Sequence, residues 1–593
     1  MRKKLIFKLR NLNLKGKKNR IILNHPNSYE MKKDSNNEFF LSASGRNSKS
    51  LIKDFNYINN IYEKNLTYLA KFLNEFHNVN YPKLYWRILI GVWLYKFISI
   101  IFERWNSLKK ITTKYKKLDI ENFKYKSKHF IPYGTEDFYY FIENDDWNNY
   151  IYLEIINIFK FDSIKKKNNK KKLNLKDSKI IYNKLTFKNN KFINKIFNCF
   201  QYLLLKINRN LEYFIFDTSQ SKLDEIILNF QLNKKPLFFM SLKFGNLYPK
   251  LISVKEKMSE KRKIHKTIAK NNFNQALYDL CKKNIPKSYL EHFKLSNKVL
   301  EKFILPKKPK VIFSTKGVAG GRSTLMDMYT AKSAINGTKI VIAQHGGNYG
   351  QHKIHPATIH ESKISKRFLS WGFKNGKKTK SLGIIKKNVK EIKYNNNNDL
   401  IILEARTRNL YSHSLRINYG AVDSSHYLKN LCDFFSNLSD KEVIDQLRVK
   451  MHTTDFGLKD KKFFLKSNSK IRFLNPKLNT KSFYNKAKLV IHTFPGTGHL
   501  EVMASNIPNL VFFLNDVNLL NNKTKKYFKE FKRLGIIHDN PNSLVNHLNK
   551  ISKDPAKWWF SKKIQSIRKK YVNDFAKVNK NLINDIIMNL KDV

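Results

Sequence analysis

Val341 to Gly350, VIAQHGGNYG, sets a β-branched run against Gln344, His345 and the glycines Gly346, Gly347 and Gly350. A histidine just past a strand can take a proton near neutral pH, and neighbouring glycines let the main chain come close to another group. His345 is therefore a candidate base for an acceptor hydroxyl. The plainer alternative is an imidazole bonded to a nearby carbonyl within a glycine turn. His352, His355, His360 and Glu361 follow, and Glu361 is a candidate second catalytic group. Their spacings match no helix-face pair of the HExxH kind, so no metal is expected.

Lys488 to Phe513, KLVIHTFPGTGHLEVMASNIPNLVFF, reads as strand, small-residue turn, helix and strand. The turn contains Gly496, Thr497 and Gly498, and a helix opening there aims unpaired N–H groups and its positive dipole end at an anion. A phosphate suits that place. Glu501, one turn further, could accept bonds from ribose hydroxyls or act only as a first-turn carboxylate. Arg406 and Arg408 follow the run DLIILEA, while His452, Thr453, Thr454 and Asp455 end the run LRVKMH. An arginine fork fits a diphosphate, although loop arginines are commonly solvated surface charge. His452 joins the donor-side candidates. Neither GxGxxG nor GxxxxGK[ST] occurs, which argues against an ordinary dinucleotide fold or a P-loop.

The elements that would position these groups are short β-branched runs, each followed by a small-residue turn and a helical segment. They run from Val311 to Thr315, Lys339 to Gln344, Asp399 to Ala405, Leu447 to His452, Lys488 to Thr493 and Asn509 to Leu514. Such alternation implies parallel sheets, whose ligands gather outside the carboxyl ends of the strands. From Leu51 to Leu108, apolar residues recur at three- and four-residue steps, as in a helical block. The linker candidate KYNNNND, Lys393 to Asp399, divides an acceptor-side domain at 51–392 from a donor-side domain at 393–593 that includes the C-terminal helices. Residues 1–50 are poorly defined. The polar run from Ile164 to Lys179 and the Lys-rich stretch from Val254 to Lys266 read as solvated insertions or linkers.

With 593 residues the chain exceeds what one core can serve. Its net charge of +68 comes mostly from dispersed lysine rather than from arginine and aromatics gathered in one element, so no specific nucleic-acid partner is expected. An anionic membrane surface would still attract it. Cys199, Cys281 and Cys432 form no CxxC and fit a reducing compartment. The apolar stretch from Ile88 to Phe102 contains Lys96 and falls short of the ~20 residues of a spanning helix. It reads as a buried helix. With a poor signal peptide at the start, the expectation is a cytoplasmic protein, peripheral at most to the inner face of the plasma membrane.

AQHGGNYG, HESKISKRFLSWGF and HTFPGTGHLEVMASNIPNLVFF, in this order, resemble the transferases encoded in bacterial O-antigen and other surface-polysaccharide clusters. YWRILIGVWLYKFISIIFERW, Tyr85 to Trp105, is similar to the helical segment near that family's N-terminus. The resemblance implies a GT-B-like α/β architecture: two Rossmann-type doubly wound domains facing a cleft, with an N-terminal helical extension. It implies a nucleotide-sugar co-substrate, no further cofactor, and a glycan or lipid-linked glycan acceptor. Carried onto this sequence, it puts Gln344, His345 and Tyr349 on the acceptor side, and Gly346, Gly347, Arg408, Tyr411, Thr497 and Glu501 toward the donor. Lys366 stands where the family carries an acid, and the family's aromatic, Cys-containing opening strand is not recognisable before Leu51. The expected activity is glycosyl transfer. The rivals are transfer of a phospho-polyol from a CDP donor, a basic nucleic-acid-binding protein, and an inactive scaffold.

Overall fold

A computed structural model of the chain describes residues 2–7, 9, 19–33, 37–41, 47–173, 175, 210–235, 260–262, 273–302, 305–315, 323–386, 389–406, 408, 411, 421–453, 456–477, 480–514 and 516–593. Among these residues the strands build three sheets. The first contains β1 (Lys3–Ile6), β2 (Arg20–Leu23), β3 (Glu38–Phe40), β4 (Leu118–Lys124) and β5 (Ile164–Lys172), in the order β3-β2-β1-β4-β5. The second contains β6 (Tyr213–Ile215), β7 (Val311–Ser314), β8 (Lys339–Ala343), β9 (Arg367–Ser370) and β10 (Thr379–Ser381), in the order β10-β9-β8-β7-β6. The third contains β11 (Leu400–Glu404), β12 (Leu447–Lys450), β13 (Arg472–Phe473), β14 (Ala487–His492), β15 (Asn509–Phe512) and β16 (Ile537–His538), in the order β13-β12-β11-β14-β15-β16. The strand pairs within each sheet are parallel.

The second and third sheets are the two parallel α/β units that the β-branched runs imply. Their central runs, such as β7, β8, β11, β14 and β15, are mostly apolar because both faces are covered. Val341 and Ala343 of β8 face Ile586, Ile587 and Leu590 in one cluster, while Ile340 and Ile342 join the main core on the other face.

Three expectations change. Residues 1–50 supply three strands, and β4 and β5 pair with them, so 51–392 is not one α/β domain and the N-terminal part is more than a helical extension. Lysines broke the apolar pattern here: Lys3 and Lys4 of β1 turn outward to Glu38 at 2.7 Å and Glu121 at 2.6 Å, while Leu5 is buried. The polar run from Ile164 is not a loop over its first part but the edge strand β5, tied by Lys167 to Asp119 at 2.6 Å. A lysine-covered edge resists pairing with another chain. Residues 176–179, most of the Lys-rich stretch at 254–266, and Cys199 lie outside the described residues. Third, the C-terminal helices do not all stay with the third sheet. The chain returns at Lys577, whose N–H donates to the Trp371 carbonyl at 2.7 Å, and the helix Leu582–Lys591 covers the second sheet.

The helical block forms two long antiparallel helices, Ser48–His77 and Lys83–Lys114. In the first, Leu51, Phe55, Ile58, Tyr62, Leu66, Leu69 and Leu73 make one buried stripe. Asn47 caps it by accepting from the Ser50 N–H at 2.8 Å, and Asn78 ends it in the left-handed conformation. The second helix is apolar nearly all round, the pattern of a helix enclosed by protein. By length and composition it could cross a membrane, yet 78% of its most apolar window is buried inside the molecule. It packs against the helices Ser48–His77, Asp145–Phe159, Thr324–Ile335 and Pro356–Ile364, and so joins the first sheet to the second. At Gly91 a side chain would start 2.7 Å from the Tyr62 hydroxyl and 2.9 Å from the His360 ring. Gly91→Val should therefore cost about 1–3 kcal/mol by overpacking, read as a lower urea midpoint in tryptophan fluorescence. An unchanged midpoint would contradict this packing.

Candidate active site

The turn after β8 is fixed before His345 begins. Gln344 donates from Nε2 to the Gly346 carbonyl at 2.7 Å, and its Oε1 accepts from the Trp371 N–H at 2.8 Å. The Trp371 ring N–H reaches the Gln344 carbonyl at 2.9 Å. These bonds leave the His345 side chain at 33% exposure, standing on a buried support. Its Nδ1 lies 3.1 Å from the Tyr349 hydroxyl, which donates to Glu361 Oε1 at 2.9 Å. If Tyr349 donates to Glu361, it accepts from Nδ1–H, which leaves the lone pair of the neutral imidazole on Nε2. That tautomer can receive a proton.

The turn after β14 also rests on buried polar groups. Gly496 opens the helix Thr497–Ser505 with no side-chain cap, so the helix start retains its preference for an anion. Beneath it, Asn509 donates to His492 Nδ1 at 2.7 Å and accepts from His499 Nδ1 at 2.8 Å. This orientation puts the His492 proton on Nε2, 3.5 Å from Glu404 Oε2. Burial drives the Glu404 carboxyl upward, but bonding from His492 and Tyr484, with the charge on Lys450, outweighs it and leaves the pKa below its ordinary value. Burial lowers His499 to about 3 and keeps it neutral. Gly498 lies over this group, where a Cβ would come within 2.7 Å of Glu404 Oε2. Glu404, His492, Asn509 and His499 are not singled out by any motif in the sequence. The one available signal was a histidine at the end of β14 and another inside the helix start that it precedes.

The two turns meet. The Gly347 N–H donates to Thr497 Oγ1 at 2.9 Å, and a Cβ on Gly347 would lie 2.6 Å from the Gly496 carbonyl carbon and 2.7 Å from the Thr497 nitrogen. The expectation that Gly346 and Gly347 make room for a ligand is corrected at Gly347, where the room is taken by the main chain of the other domain. An anion at the helix start must lie beside this contact, not through it. His345 and the uncapped helix start are thus neighbours across a domain boundary.

Other candidates take different places. Gln344 and Tyr349 are 1% and 3% exposed, so they hold the turn and do not face an acceptor. Glu361 is 1% exposed; its Oε1 lies 3.8 Å from His345 Nδ1 and also accepts from Tyr349, so it is a positioning group beneath the imidazole and not a second catalytic one. Burial raises its carboxyl to about 8, against the opposing pull of the Tyr349 bond. Arg408 is no diphosphate clamp. It is buried, pairs with Asp460 through Nε at 3.0 Å and through Nη2, and donates to the Pro26 carbonyl at 3.0 Å and to Asn27 Oδ1 at 2.9 Å. Tyr411 is likewise buried, bonded to Asp145 and to the Phe7 carbonyl. Both residues tie the third sheet's loops to the N-terminal domain. Arg406 pairs with Asp423 at 2.8 Å and lies over the Tyr427 ring. Glu501 is paired with Lys386. His452 is exposed at the carboxyl edge of the third sheet, and Thr454 and Asp455 lie outside the described residues.

Arg408→Ala would remove a buried guanidinium and leave half-buried Asp460 without its partner, so it should cost up to about 3 kcal/mol in stability with nucleotide affinity unchanged, as measured by urea unfolding beside calorimetric titration. Glu361 carries its own pH signature. Its folded pKa is about 8 against an ordinary 4.5, so the stability linked to its proton is complete below 4.5 and is lost as pH rises through 8. Glu361→Gln cannot ionise and should flatten that decline. Parallel urea midpoints for the two proteins across this window would overturn the assignment.

Several solved structures are similar to this chain at low identity. The Staphylococcus aureus MnaA–UDP co-structure matches at 13% identity and TM-score 0.33, over 64% of this chain and 94% of that one. Acinetobacter baumannii MurG matches at 10% and 0.33, over 65% and 100%. The UDP-GlcNAc 2-epimerase from Neisseria meningitidis bound to UDP-GlcNAc matches at 11% and 0.32, over 64% and 99%. No curated protein matches the sequence. The family model described as LIC12162 family transferase spans residues 15–590. With nearly its whole length inside that match, the chain belongs to the LIC12162 family of transferases.

Proposed function

We propose that this transferase moves a sugar from a nucleotide-activated donor to a hydroxyl of a surface-polysaccharide acceptor, free or lipid-linked, without a metal. The observation that carries the reading is the Gly347–Thr497 contact, which sets a proton-accepting imidazole beside an uncapped helix start. In the reaction His345 Nε2 takes the acceptor hydroxyl proton as the new bond forms at the sugar's anomeric carbon. The bond from that carbon to the donor phosphate breaks, and the helix start at Thr497 takes up the developing negative charge. Donors aimed at such charge commonly supply the largest part of catalysis. Tyr349 and Glu361 hold the imidazole and do not touch substrate. Glu501, paired with Lys386, sits one turn along the helix, where a ribose would exchange for the lysine. The place of action is the cytoplasm, with the basic surface drawn to anionic headgroups of the inner leaflet.

His345→Ala should lower transfer about a hundred- to ten-thousandfold while leaving the thermal shift produced by the nucleoside diphosphate intact. Turnover that survives the change would remove His345 from the chemistry. Release of a nucleoside monophosphate from a CDP donor, with a new phosphodiester in the product, would replace glycosyl transfer by phospho-polyol transfer.

A further inference from the structure

Beside the two meeting turns lies a cleft of about 810 Å3, open between the carboxyl edge of the second sheet, Asn521 and Lys523 that follow β15 of the third sheet, and the returning chain at 573–577. Neither His345 nor Thr497 lines it. Two rings separate it from the imidazole: His355, on its wall, packs 4.2 Å from the Tyr349 ring, whose hydroxyl meets His345. Its volume falls among small-molecule sites, roughly 300–1,000 Å3.

His352, on its lining, is 8% exposed, and both ring nitrogens lack a protein partner. Burial holds this imidazole down at about 4, so at neutral pH it offers one N–H and one lone pair. Buried polar atoms ordinarily find partners, and here the cleft is where they would come from. Lys353 and Lys374 are exposed on the lining and Lys577 is half-buried there. Among the described residues none of the three is in an ion pair with a carboxylate. The one carboxylate on the lining, Asp574, is already held by Lys523 at 2.7 Å and by the Tyr527 hydroxyl at 2.6 Å. Exposed Asn375 and Asn573 add two amides able to donate and accept. The cleft therefore offers uncompensated positive charge around neutral groups that bond hydroxyls.

We propose that this cleft binds an anionic sugar, one bearing a phosphate or a carboxylate, with the charge met by Lys353, Lys374 and Lys577 and the hydroxyls by His352, Asn375 and Asn573. It is a second site, built from none of the residues assigned to the donor. A change at buried His352 endangers the fold, so the lysines carry the test.

The full-length protein is titrated calorimetrically with glucose 6-phosphate, glucuronate and glucose, and separately with UDP. At least one of the two acids should bind about tenfold or more tighter than glucose, and the preferred acid identifies the anionic group. Lys374→Glu and Lys577→Glu should each weaken that acid about fivefold or more. Lys562→Glu, an equal change of charge on an exposed surface away from the cleft, should not. Acids that bind no tighter than glucose, or that lose the same affinity in Lys562→Glu, would overturn the proposal. Acid binding without UDP binding keeps the cleft and removes the donor reading, and UDP binding without acid binding does the reverse.

Discussion

Main chain meets main chain where Gly347 closes on Gly496 and Thr497, and no side chain other than a hydrogen atom fits between them. This contact depends on two edges being presented at the right height. On one side Gln344 and Trp371 bind the turn after β8 to the end of β9. On the other, Asn509 at the start of β15 fixes two histidines beneath the turn after β14. A second set of bonds holds the same boundary closed nearby: the Lys353 N–H donates to the Leu519 carbonyl at 2.8 Å and the Asn521 N–H to the Gln351 carbonyl at 2.9 Å. The returning chain at Lys577 completes the tie. Two domains joined in this way bring the partly exposed His345 imidazole and the uncapped helix start together, with the Thr497 hydroxyl bonded to the Gly347 N–H across the gap.

Burial decides which polar residues are scaffold and which are chemistry. Glu361 and Arg408 both look functional as residue types. Inside the protein an ionised carboxylate is costly, and the single bond from the Tyr349 phenol does not offset the burial, so Glu361 keeps its proton well past the ordinary range. A guanidinium can stay charged when a carboxylate and several carbonyls surround it, which is what Asp460, Pro26 and Ser424 provide for Arg408. Neither group can reach solvent, so each acts through what it holds in place. His345, standing above such a support, keeps a third of its side chain exposed.

The excess of lysine has a structural side as well. Lys3, Lys4 and Lys167 bind acids across the first sheet, and β5 carries its lysines on an open edge. The lysine ends of these pairs reach solvent and each pair contributes little, but they show how a strand of mostly charged residues is held by its backbone ladder and by neighbours, without an apolar face. Where lysines gather around a concave lining with no matching carboxylate, as at Lys353, Lys374 and Lys577, the same residue type has a different consequence.

Short β-branched runs between turns were enough to place β7, β8, β11, β14 and β15, because strands covered on both faces are mostly apolar, and alternation of apolar and basic residues placed β12. The two long helices followed from their three- and four-residue spacing, and the glycine turns from their position after strands. Local pattern could not reveal the first sheet, since KKLI and IKKKNNKKK owe their strand state to partners far along the chain. Nor could it tell Arg408, which ends beside Pro26, from an arginine awaiting a phosphate. The return of the last helix to the second sheet and the closure of Gly347 on Thr497 are likewise contacts across a great separation in sequence. Residue type and spacing set what each segment can do locally, whereas burial and partnership, which settle charge state and access, exist only once distant segments have met.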